Sequence, residues 1–173
     1  MRRPVFLLLL ILLQITLPVK LSGQKPDYRL FDNISLGTEA SVINCFLQDT
    51  QGLIWIGSNK GLFSYDGYST QPHFTFAKRN NTQIYCGTVV DSTYLYLGAD
   101  NGLLVYNYRT DTYEEPETQL PTDIRALLVH DGMLWLGTLN GLYTYSLNDH
   151  QLSAVTEGIP HPTIYSLIRS SDG

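Results

Sequence analysis

The fold of this chain is indicated most clearly by the segment Leu53-Ile-Trp-Ile-Gly-Ser-Asn-Lys-Gly-Leu-Phe-Ser-Tyr65. It returns twice with few changes, as Tyr94-Leu-Tyr-Leu-Gly-Ala-Asp-Asn-Gly-Leu-Leu-Val-Tyr106 and as Met133-Leu-Trp-Leu-Gly-Thr-Leu-Asn-Gly-Leu-Tyr-Thr-Tyr145. The equivalent glycines Gly57, Gly98 and Gly137 are 41 and 39 residues apart. A period of about 40 residues is typical of arrays in which each repeat is one supersecondary unit.

Each unit is predicted to contain four short strands. The second strand is the Ile-Trp-Ile-Gly type of run, and the third begins at Gly-Leu and ends at the shared tyrosine. Asn and Gly between these two strands tolerate the positive φ that tight hairpin turns require. The predicted first strands are Ile43 to Gln48, Ile84 to Val89 and Ile124 to Val129; the more polar fourth strands are Pro72 to Lys78, Thr112 to Glu117 and Gln151 to Thr156.

The polarity of the strands indicates how the units pack. The second strand is apolar on both faces, as expected if neighbouring sheets cover both sides, whereas the fourth has the character of an outer edge. Four-stranded sheets that repeat every ~40 residues and bury their faces around an axis are the blades of a β-propeller. The sequence therefore predicts an all-β fold, with three complete four-stranded blades and the first strand of a fourth, in an incomplete ring.

The repeat also predicts the domain organisation. A leading strand at 24–37 would complete the last blade of the full ring, and the three blades occupy 38–78, 79–117 and 118–157. The truncated start of a fourth blade follows at 158–173, where Ile164 to Gly173 matches Ile43 to Gly52 without a gap. Because three blades leave two apolar faces bare, we expect the segment 24–173 alone to be unstable or poorly soluble.

Residues 1–23 have the layout of a secretory signal peptide. Arg2 and Arg3 precede the apolar run Val5 to Leu13, and Pro18 interrupts the hydrophobic stretch short of the ~20 residues that a membrane span needs. Cleavage is predicted after Gly23, with an uncleaved anchor helix as the alternative. Cleavage would change the formal charge from −5 to −8, a sign that repels nucleic acid and anionic lipid.

The run Ser41 to Tyr68 resembles the two-component regulator propeller repeat, which reads V-N-x-I-x-Q-D-x-x-G-x-I-W-[IV]-G-T-x-x-G-L-x-x-Y-D-G. The resemblance covers nearly the whole chain after the signal peptide and is strongest in the first blade. The second blade departs from it at Val89-Val-Asp-Ser-Thr93, and the third is one residue shorter at His130-Asp-Gly132. Ser58 and Ala99 replace the usual threonine, which Thr138 retains.

This resemblance implies the N-terminal periplasmic part of a Bacteroidetes hybrid two-component sensor histidine kinase. Such proteins have two propellers, a small β-sandwich, a single membrane span, a kinase and a receiver, and they sense oligosaccharides released from glycans to regulate transcription. The implied location is the periplasm, with inner-membrane anchoring and a homodimer at full length. The implied partners are an oligosaccharide and the remaining blades, with no nucleic acid, cofactor or enzymatic activity in this segment.

Cys45 and Cys86 occupy the same position in successive repeats, where the next two units have Ala126 and Ser166. A position that requires a small side chain explains all four residues. Equivalent positions of neighbouring blades rarely have disulfide geometry, so packing is favoured over the alternative, a Cys45–Cys86 disulfide in an oxidising compartment.

The remaining candidates have ordinary structural interpretations. Trp55 and Trp135 could stack on sugar rings, but their fixed repeat position favours core packing, whereas Tyr68 and Tyr108 are predicted to be exposed and freer to contact a ligand. The sequence shows no metal-ligand spacing, no Ser-His-Asp order and no phosphate loop. We therefore assign no catalytic, cofactor or metal residue and leave the ligand-binding position open. The histidines and acidic residues to which we assign no such role are His73, His130, His150, His161, Glu114, Glu115 and Glu117.

The sequence is also compatible with two other functions. One is a secreted β-propeller enzyme acting on glycans, which would need acidic residues converging near the ring axis. The other is a structural or quinone-cofactor propeller, which Gly102 to Tyr113 faintly resembles, although the late tryptophan of such repeats is missing.

Overall fold

A computed structural model describes residues 34, 36, 42–73, 82–114, 116 and 120–170. In this part of the chain all regular structure is β, and twelve strands form three four-stranded antiparallel sheets, each in sequence order. The predicted all-β class is confirmed. The strands are β1 (Ile43–Gln48), β2 (Ile54–Ser58), β3 (Gly61–Tyr65), β4 (Thr70–His73), β5 (Ile84–Val89), β6 (Tyr94–Ala99), β7 (Gly102–Asn107), β8 (Thr112–Glu114), β9 (Ile124–His130), β10 (Met133–Thr138), β11 (Gly141–Ser146) and β12 (Leu152–Val155).

The three sheets follow one another as propeller blades, with their first strands on the inside. β1 contacts β5, and β5 contacts β9. The strands β4, β8 and β12 lie at the opposite edges of their sheets. The predicted β-propeller is thus confirmed, and the described blades form an open arrangement.

The repeated glycine of each second strand is explained by the close approach of the next sheet. A Cβ on Gly57 would lie 2.7 Å from Ile84 Cγ2 and 2.5 Å from Cys45 Sγ. On Gly98 it would lie 2.7 Å from Ile124 Cγ2. The first isoleucine of each sheet therefore fills the space over a glycine of the preceding sheet, and neither residue can change without the other.

Ile164 begins a fourth unit in the same way. Its backbone N–H donates to Thr138 O at 2.8 Å, and its Cγ2 lies 2.7 Å from where a Cβ on Gly137 would be. Residues 163–170 nevertheless form no strand. A strand requires a neighbouring strand to which it can hydrogen-bond, and no described residue supplies one. The start of the predicted fourth blade therefore packs against the third sheet at Ile164 but forms no strand of its own.

The hydrophobic core lies between the sheets. The cluster between the first and second sheets includes Trp55, Leu62, Ile84, Leu97 and Tyr106. A second cluster, between the second and third sheets, includes Tyr96, Val105, Ile124, Leu134 and Tyr145. Each cluster draws on both facing sheets, as the apolar second strands predicted.

The predicted outer strands differ slightly from the observed ones. β4 begins at Thr70, because Thr70 pairs with Tyr65 immediately after a short turn. Pro72 lies within β4, where an edge strand tolerates a residue without a backbone N–H. The described part of β8 is Thr112–Glu114, and the predicted ends of the first two outer strands, Lys78 and Glu117, lie outside the described residues. β12 is shorter than predicted, at Leu152–Val155.

Two predicted segments lie outside the described residues. These are the signal peptide at 1–23 and the leading strand at 24–37, apart from Ile34 and Leu36. Among the described residues, no helix has the length and apolar character of a membrane span.

Candidate ligand site on the inner strands

Each innermost strand carries a β-bulge at its second residue. The residues on either side of Asn44 pair with adjacent residues of β2, so that Asn44 itself has no partner in the ladder. The same register shift leaves Tyr85 unpaired in the second sheet and Arg125 in the third. A bulge re-aims the side chain of the extra residue, and bulges are frequent beside functional sites. We call Asn44, Tyr85 and Arg125 the inner row.

The repeats differ at the inner row but not beside it. The residue before the bulge is always isoleucine, and the residue after it is always small: Ile43, Ile84, Ile124 and Ile164, then Cys45, Cys86, Ala126 and Ser166. Sheet packing explains both of these positions. Sheet packing does not constrain the bulged position in this way. Its side chain varies between an amide, a phenol and a guanidinium, as expected of residues that contact a ligand.

The side chains of the inner row reach from sheet to sheet. Asn44 Nδ2 donates to Ile84 O at 2.7 Å. The guanidinium carbon of Arg125 lies 3.5 Å from the centroid of the Tyr85 ring, a cation–π contact. The row is therefore a continuous line of polar and aromatic groups along the inner edge of three sheets.

The guanidinium of Arg125 is incompletely satisfied. Within the described part of the chain, it contacts one carboxylate, Asp123, with Nη2 to Oδ1 at 3.3 Å. That distance exceeds the 2.7–2.9 Å typical of a charge-assisted hydrogen bond. Arg125 Nε is buried without a hydrogen-bond partner, while 24% of the side chain remains exposed. The exposed part of the fork can therefore take another oxyanion.

The turn after β6 holds the inner row in place. Asp100 N donates to Gln83 O at 3.1 Å, and Asp123 N donates to Asp100 O at 3.0 Å. The Asp100 carboxylate also accepts from Gln83 N at 3.2 Å. The Tyr85 hydroxyl lies 3.4 Å from Gln83 Oε1. One turn thus positions the residues that precede both Tyr85 and Arg125.

A second polar constellation lies between the first and second sheets. Ser64 Oγ is 2.8 Å from His73 Nε2, and His73 Nδ1 is 3.1 Å from Asp111 Oδ1. These distances are those of a Ser-His-Asp triad. No sequence pattern indicated this constellation, because Asp111 comes from a different repeat from the other two residues.

We interpret this constellation as structural. Ser64 is only 6% exposed, so its hydroxyl is closed to a substrate. The Tyr106 hydroxyl lies 2.8 Å from His73 Nδ1 and donates to Asp111 Oδ1 at 2.6 Å. Tyr113 also donates to His73 O at 2.9 Å. The network therefore ties β4 of the first sheet to the β7–β8 hairpin of the second.

The network shifts the pKa values of Asp111 and Tyr106 in opposite directions. The hydrogen bond from Tyr106, followed by the bond and charge of His73, holds the pKa of Asp111 below its usual value. Burial, reinforced by the Asp111 carboxylate, raises the pKa of the Tyr106 hydroxyl. Tyr106 is therefore a neutral donor, and Asp111 is an ionised acceptor.

The two cysteines are free thiols. Each is half-buried and lies opposite the glycine of the neighbouring strand, Cys45 opposite Gly57 and Cys86 opposite Gly98. Burial raises the pKa of Cys45 to about 11 and that of Cys86 to about 12. This environment is the one that the small-residue interpretation expects.

The aromatic candidates separate into packed and exposed residues. Trp55 is buried, and its Nε1 donates to Asp49 Oδ2 at 2.9 Å, whereas Trp135 is only half-buried. Tyr68 is exposed, as expected. The expectation for Tyr108 was wrong: its ring packs 5.9 Å from that of Trp55 and its hydroxyl donates to Asp91 O, because the β7–β8 turn folds back over the first interface.

The histidines and acidic candidates do not converge. His150 Nδ1 lies 2.8 Å from the Tyr145 hydroxyl, and Glu114 accepts from Tyr94 at 3.2 Å. Glu115 and Glu117 lie outside the described residues. In the described ranges, no three His, Cys, Asp or Glu side chains are grouped so that they could hold a metal ion.

Comparison with known families and structures agrees with the repeat. The family described as two component regulator propeller matches residues 37–60. The extracellular domain of BT4673 of B. thetaiotaomicron, a proposed hybrid two-component system, is 63% identical with a TM-score of 0.78, and the match covers 84% of this chain and 20% of that one. A second structure of that domain, described as part of a proposed one-component system, is 62% identical with a TM-score of 0.79, and the match has the same coverage.

More distant structures support the fold alone. The extracellular domain of BT3049, a proposed hybrid two-component system of the same organism, is 22% identical with a TM-score of 0.67, over 76% of this chain and 19% of that one. The WD40 β-propeller domain of Doa1 is 12% identical with a TM-score of 0.62, and the match covers 76% of this chain and 45% of that one. No curated protein matches the sequence. The chain spans about a fifth of the length of the solved extracellular domains of BT4673 and BT3049.

Proposed function

Since this chain belongs to the two-component regulator propeller family, we propose that it forms the first blades of the ligand-sensing extracellular domain of a hybrid two-component signalling protein. The proposed ligand is an oligosaccharide released from a glycan, and the proposed output is transcription of genes for its use. The signal sequence at 1–23 supports a periplasmic location, with the full-length protein anchored in the inner membrane. A homodimer at full length is part of the same proposal.

The observation that carries the proposal is the identity of 62–63% over 84% of this chain to an extracellular domain of a signalling system. Because the matched domain is about five times longer than the match, the remaining blades and the kinase belong to the proposal.

The architecture offers a physical route for sensing. A ligand can shift a conformational equilibrium only by binding one state better than the other. A molecule lying along the inner row would touch side chains of three sheets at once. Its binding free energy would then depend on how those sheets are placed relative to one another, which is the differential contact that signalling requires.

The enzymatic alternative has no support in the described geometry. Ser64, His73 and Asp111 have triad-like distances, but the Ser64 hydroxyl, which would have to attack a substrate, is buried. We therefore propose that this segment binds and does not catalyse.

Two measurements test the proposed function. The coding sequence that follows residue 173 should encode further blades, a membrane span and histidine-kinase motifs; a stop codon after a single ring would contradict the proposal. The complete extracellular domain should bind at least one member of a panel of glycan oligosaccharides by isothermal titration calorimetry, and its melting temperature should rise with ligand concentration. Failure of every oligosaccharide would refute the proposed ligand class.

A further inference from the structure

We infer that Arg125, stacked on Tyr85, binds an oxyanion of the ligand, either a carboxylate or a sulfate group. The inference rests on the proposed function and gives its ligand a chemical class, an acidic rather than a neutral oligosaccharide. It also assigns a function to the inner row, which is to bind that ligand.

The chemistry of the guanidinium favours an oxyanion. Its planar fork of donors matches two oxygens of a carboxylate or sulfate, and such bidentate bonds are stronger than those to a neutral hydroxyl. A neutral sugar would be served as well by amides or hydroxyls. The position of Arg125 is notable because the chain is acidic, with 16 Asp and Glu against 11 Lys and Arg. A chain with this balance repels anions in general and needs a local cation to bind one.

Tyr85 prepares the guanidinium for binding. The 3.5 Å contact with the ring restrains the guanidinium before the ligand arrives. Less side-chain entropy is then lost when the oxyanion binds. The aromatic ring also extends the polar row with a surface on which a sugar ring could lie.

Asp123 is a competitor for the same guanidinium. Its carboxylate reaches Nη2 only at 3.3 Å and remains partly exposed. The backbone of Asp123 is held in a left-handed conformation, φ 54°, with its N–H bonded to Asp100 O. The carboxylate therefore stays near the guanidinium without closing on it, and a ligand oxyanion can take over the exposed donors.

This competition separates a ligand-binding role from a merely structural one. If Arg125 served only to pair with Asp123, then Asp123→Asn and Arg125→Gln would have the same effect on ligand binding. If Arg125 reads an oxyanion, Arg125→Gln weakens the binding of acidic ligands, whereas Asp123→Asn leaves it unchanged or strengthens it.

The experiment uses the complete extracellular domain and three probes of one size: a uronate-containing disaccharide, a sulfated disaccharide and a neutral disaccharide. Affinities are measured by calorimetry at low and at physiological salt. We expect one acidic probe to bind more tightly than the neutral one, and Arg125→Gln to weaken it about ten- to a hundredfold, the value of one or two charge-assisted bonds. The uronate and sulfate arms identify which oxyanion is read.

Arg109→Gln is the matched control. Arg109 is an exposed arginine in the β7–β8 turn, where it donates to Ser92, and we expect its removal to leave the affinity unchanged. Arg125→Lys retains the charge without the fork and should give an intermediate loss, which also covers the case in which Arg125→Gln fails to fold. Unchanged binding of the acidic probe by folded Arg125→Gln, or equal losses in Arg125→Gln and Asp123→Asn, would overturn the inference. If only the neutral probe binds, the inference fails and the proposed function stands; if none binds, both fail.

Discussion

Asp49 shows why the first repeat contains its Gln-Asp-x-x-Gly-x-Ile-Trp motif. One carboxylate oxygen accepts the backbone N–H groups of Gln51 and Leu53 at 2.9 and 3.0 Å. The other accepts the Trp55 indole N–H. A single buried side chain thus closes the turn between β1 and β2 and satisfies the polar atom of the largest buried residue in the core.

Replacement of Asp49 should therefore be costly. Asp49→Ala leaves the buried indole N–H and two backbone donors without an acceptor, and we expect a loss of about 3 kcal/mol in the free energy of unfolding. Asp49→Asn keeps one carbonyl acceptor and should cost less. Denaturant titration of the complete extracellular domain measures both, with the exposed Ser153→Ala as the neutral control; equal stability of Asp49→Ala and wild type would contradict the role of this side chain.

The thiols provide a second test at the residue scale. With the pKa of Cys45 at about 11 and that of Cys86 at about 12, few molecules carry a thiolate at pH 8. We expect both to react with a disulfide reagent about a hundredfold more slowly in the folded protein than in urea. Rapid labelling of the native protein, or a Cys45–Cys86 disulfide found by mass spectrometry, would show that the packing interpretation is wrong.

At the scale of the elements, the tight connection between second and third strands is closed by a hydroxyl. Ser58 Oγ donates to Gly61 O and accepts from Lys60 N, both at 3.0 Å. Thr138 makes the same pair of bonds with Gly141 and Asn140. Ala99 cannot, and in its hairpin the Asp100 carboxylate binds backbone N–H groups instead. The bonds between Asp100 and Gln83 do not depend on this difference, because Asn59 makes the same pair of bonds with Val42 in the hairpin that has Ser58.

The link between the first two sheets predicts a dependence on pH. Because the folded-state pKa of Asp111 lies below the ordinary value of 3.8, its ionised form stabilises the fold above that pH, and the contribution is lost as pH falls through the folded value. The carboxylate is largely solvated, so the effect should be about 1 kcal/mol or less. Melting temperatures of wild type and Asp111→Asn should therefore differ at pH 6 and converge near pH 2 to 3; a constant difference would contradict this origin.

At the scale of the molecule, the first sheet presents an apolar face to solvent. Phe46, which is 66% exposed, occupies the position of Gly87 in the second sheet. A Cβ on Gly87 would lie 2.7 Å from Leu47 of the preceding sheet, so this position faces backwards along the ring. Ile168, 89% exposed, lies at the other end of the described blades. Both residues belong where a neighbouring blade would cover them.

The isolated segment 24–173 should consequently self-associate or unfold. Uncovered strand faces forfeit apolar burial worth about 25 cal/mol per Å², and exposed strand surfaces favour aggregation. Light scattering after size exclusion, together with calorimetry, would test this; Phe46→Ser should improve solubility if the exposed face is the cause. A monomer that melts cooperatively would contradict the prediction.

Much of the fold could be predicted because it repeats. The glycine, the aromatic residue and the shared tyrosine recur at fixed spacing, and each lies at the same strand position in successive sheets. Only Tyr65 in the first sheet and Trp135 in the third are less buried than their equivalents. Outer strands were predicted less well, since the start of β4 at Thr70 and the end of β12 at Val155 lie beside turns that carry little hydrophobic pattern. The predicted exposure of Tyr108 was wrong for a related reason, because its ring packs near Trp55, which belongs to another repeat.

The blades, their order and their inner and outer edges could be predicted from the sequence alone, because they follow from strand patterning and turn chemistry within about 40 residues. Which side chains meet between repeats depends instead on how the sheets pack. The inner row depends on a register shift, which changes pairing without changing composition, and the Ser64–His73–Asp111 network joins residues of two sheets. Contacts of this kind arise when rigid sheets pack, and no local pattern encodes them.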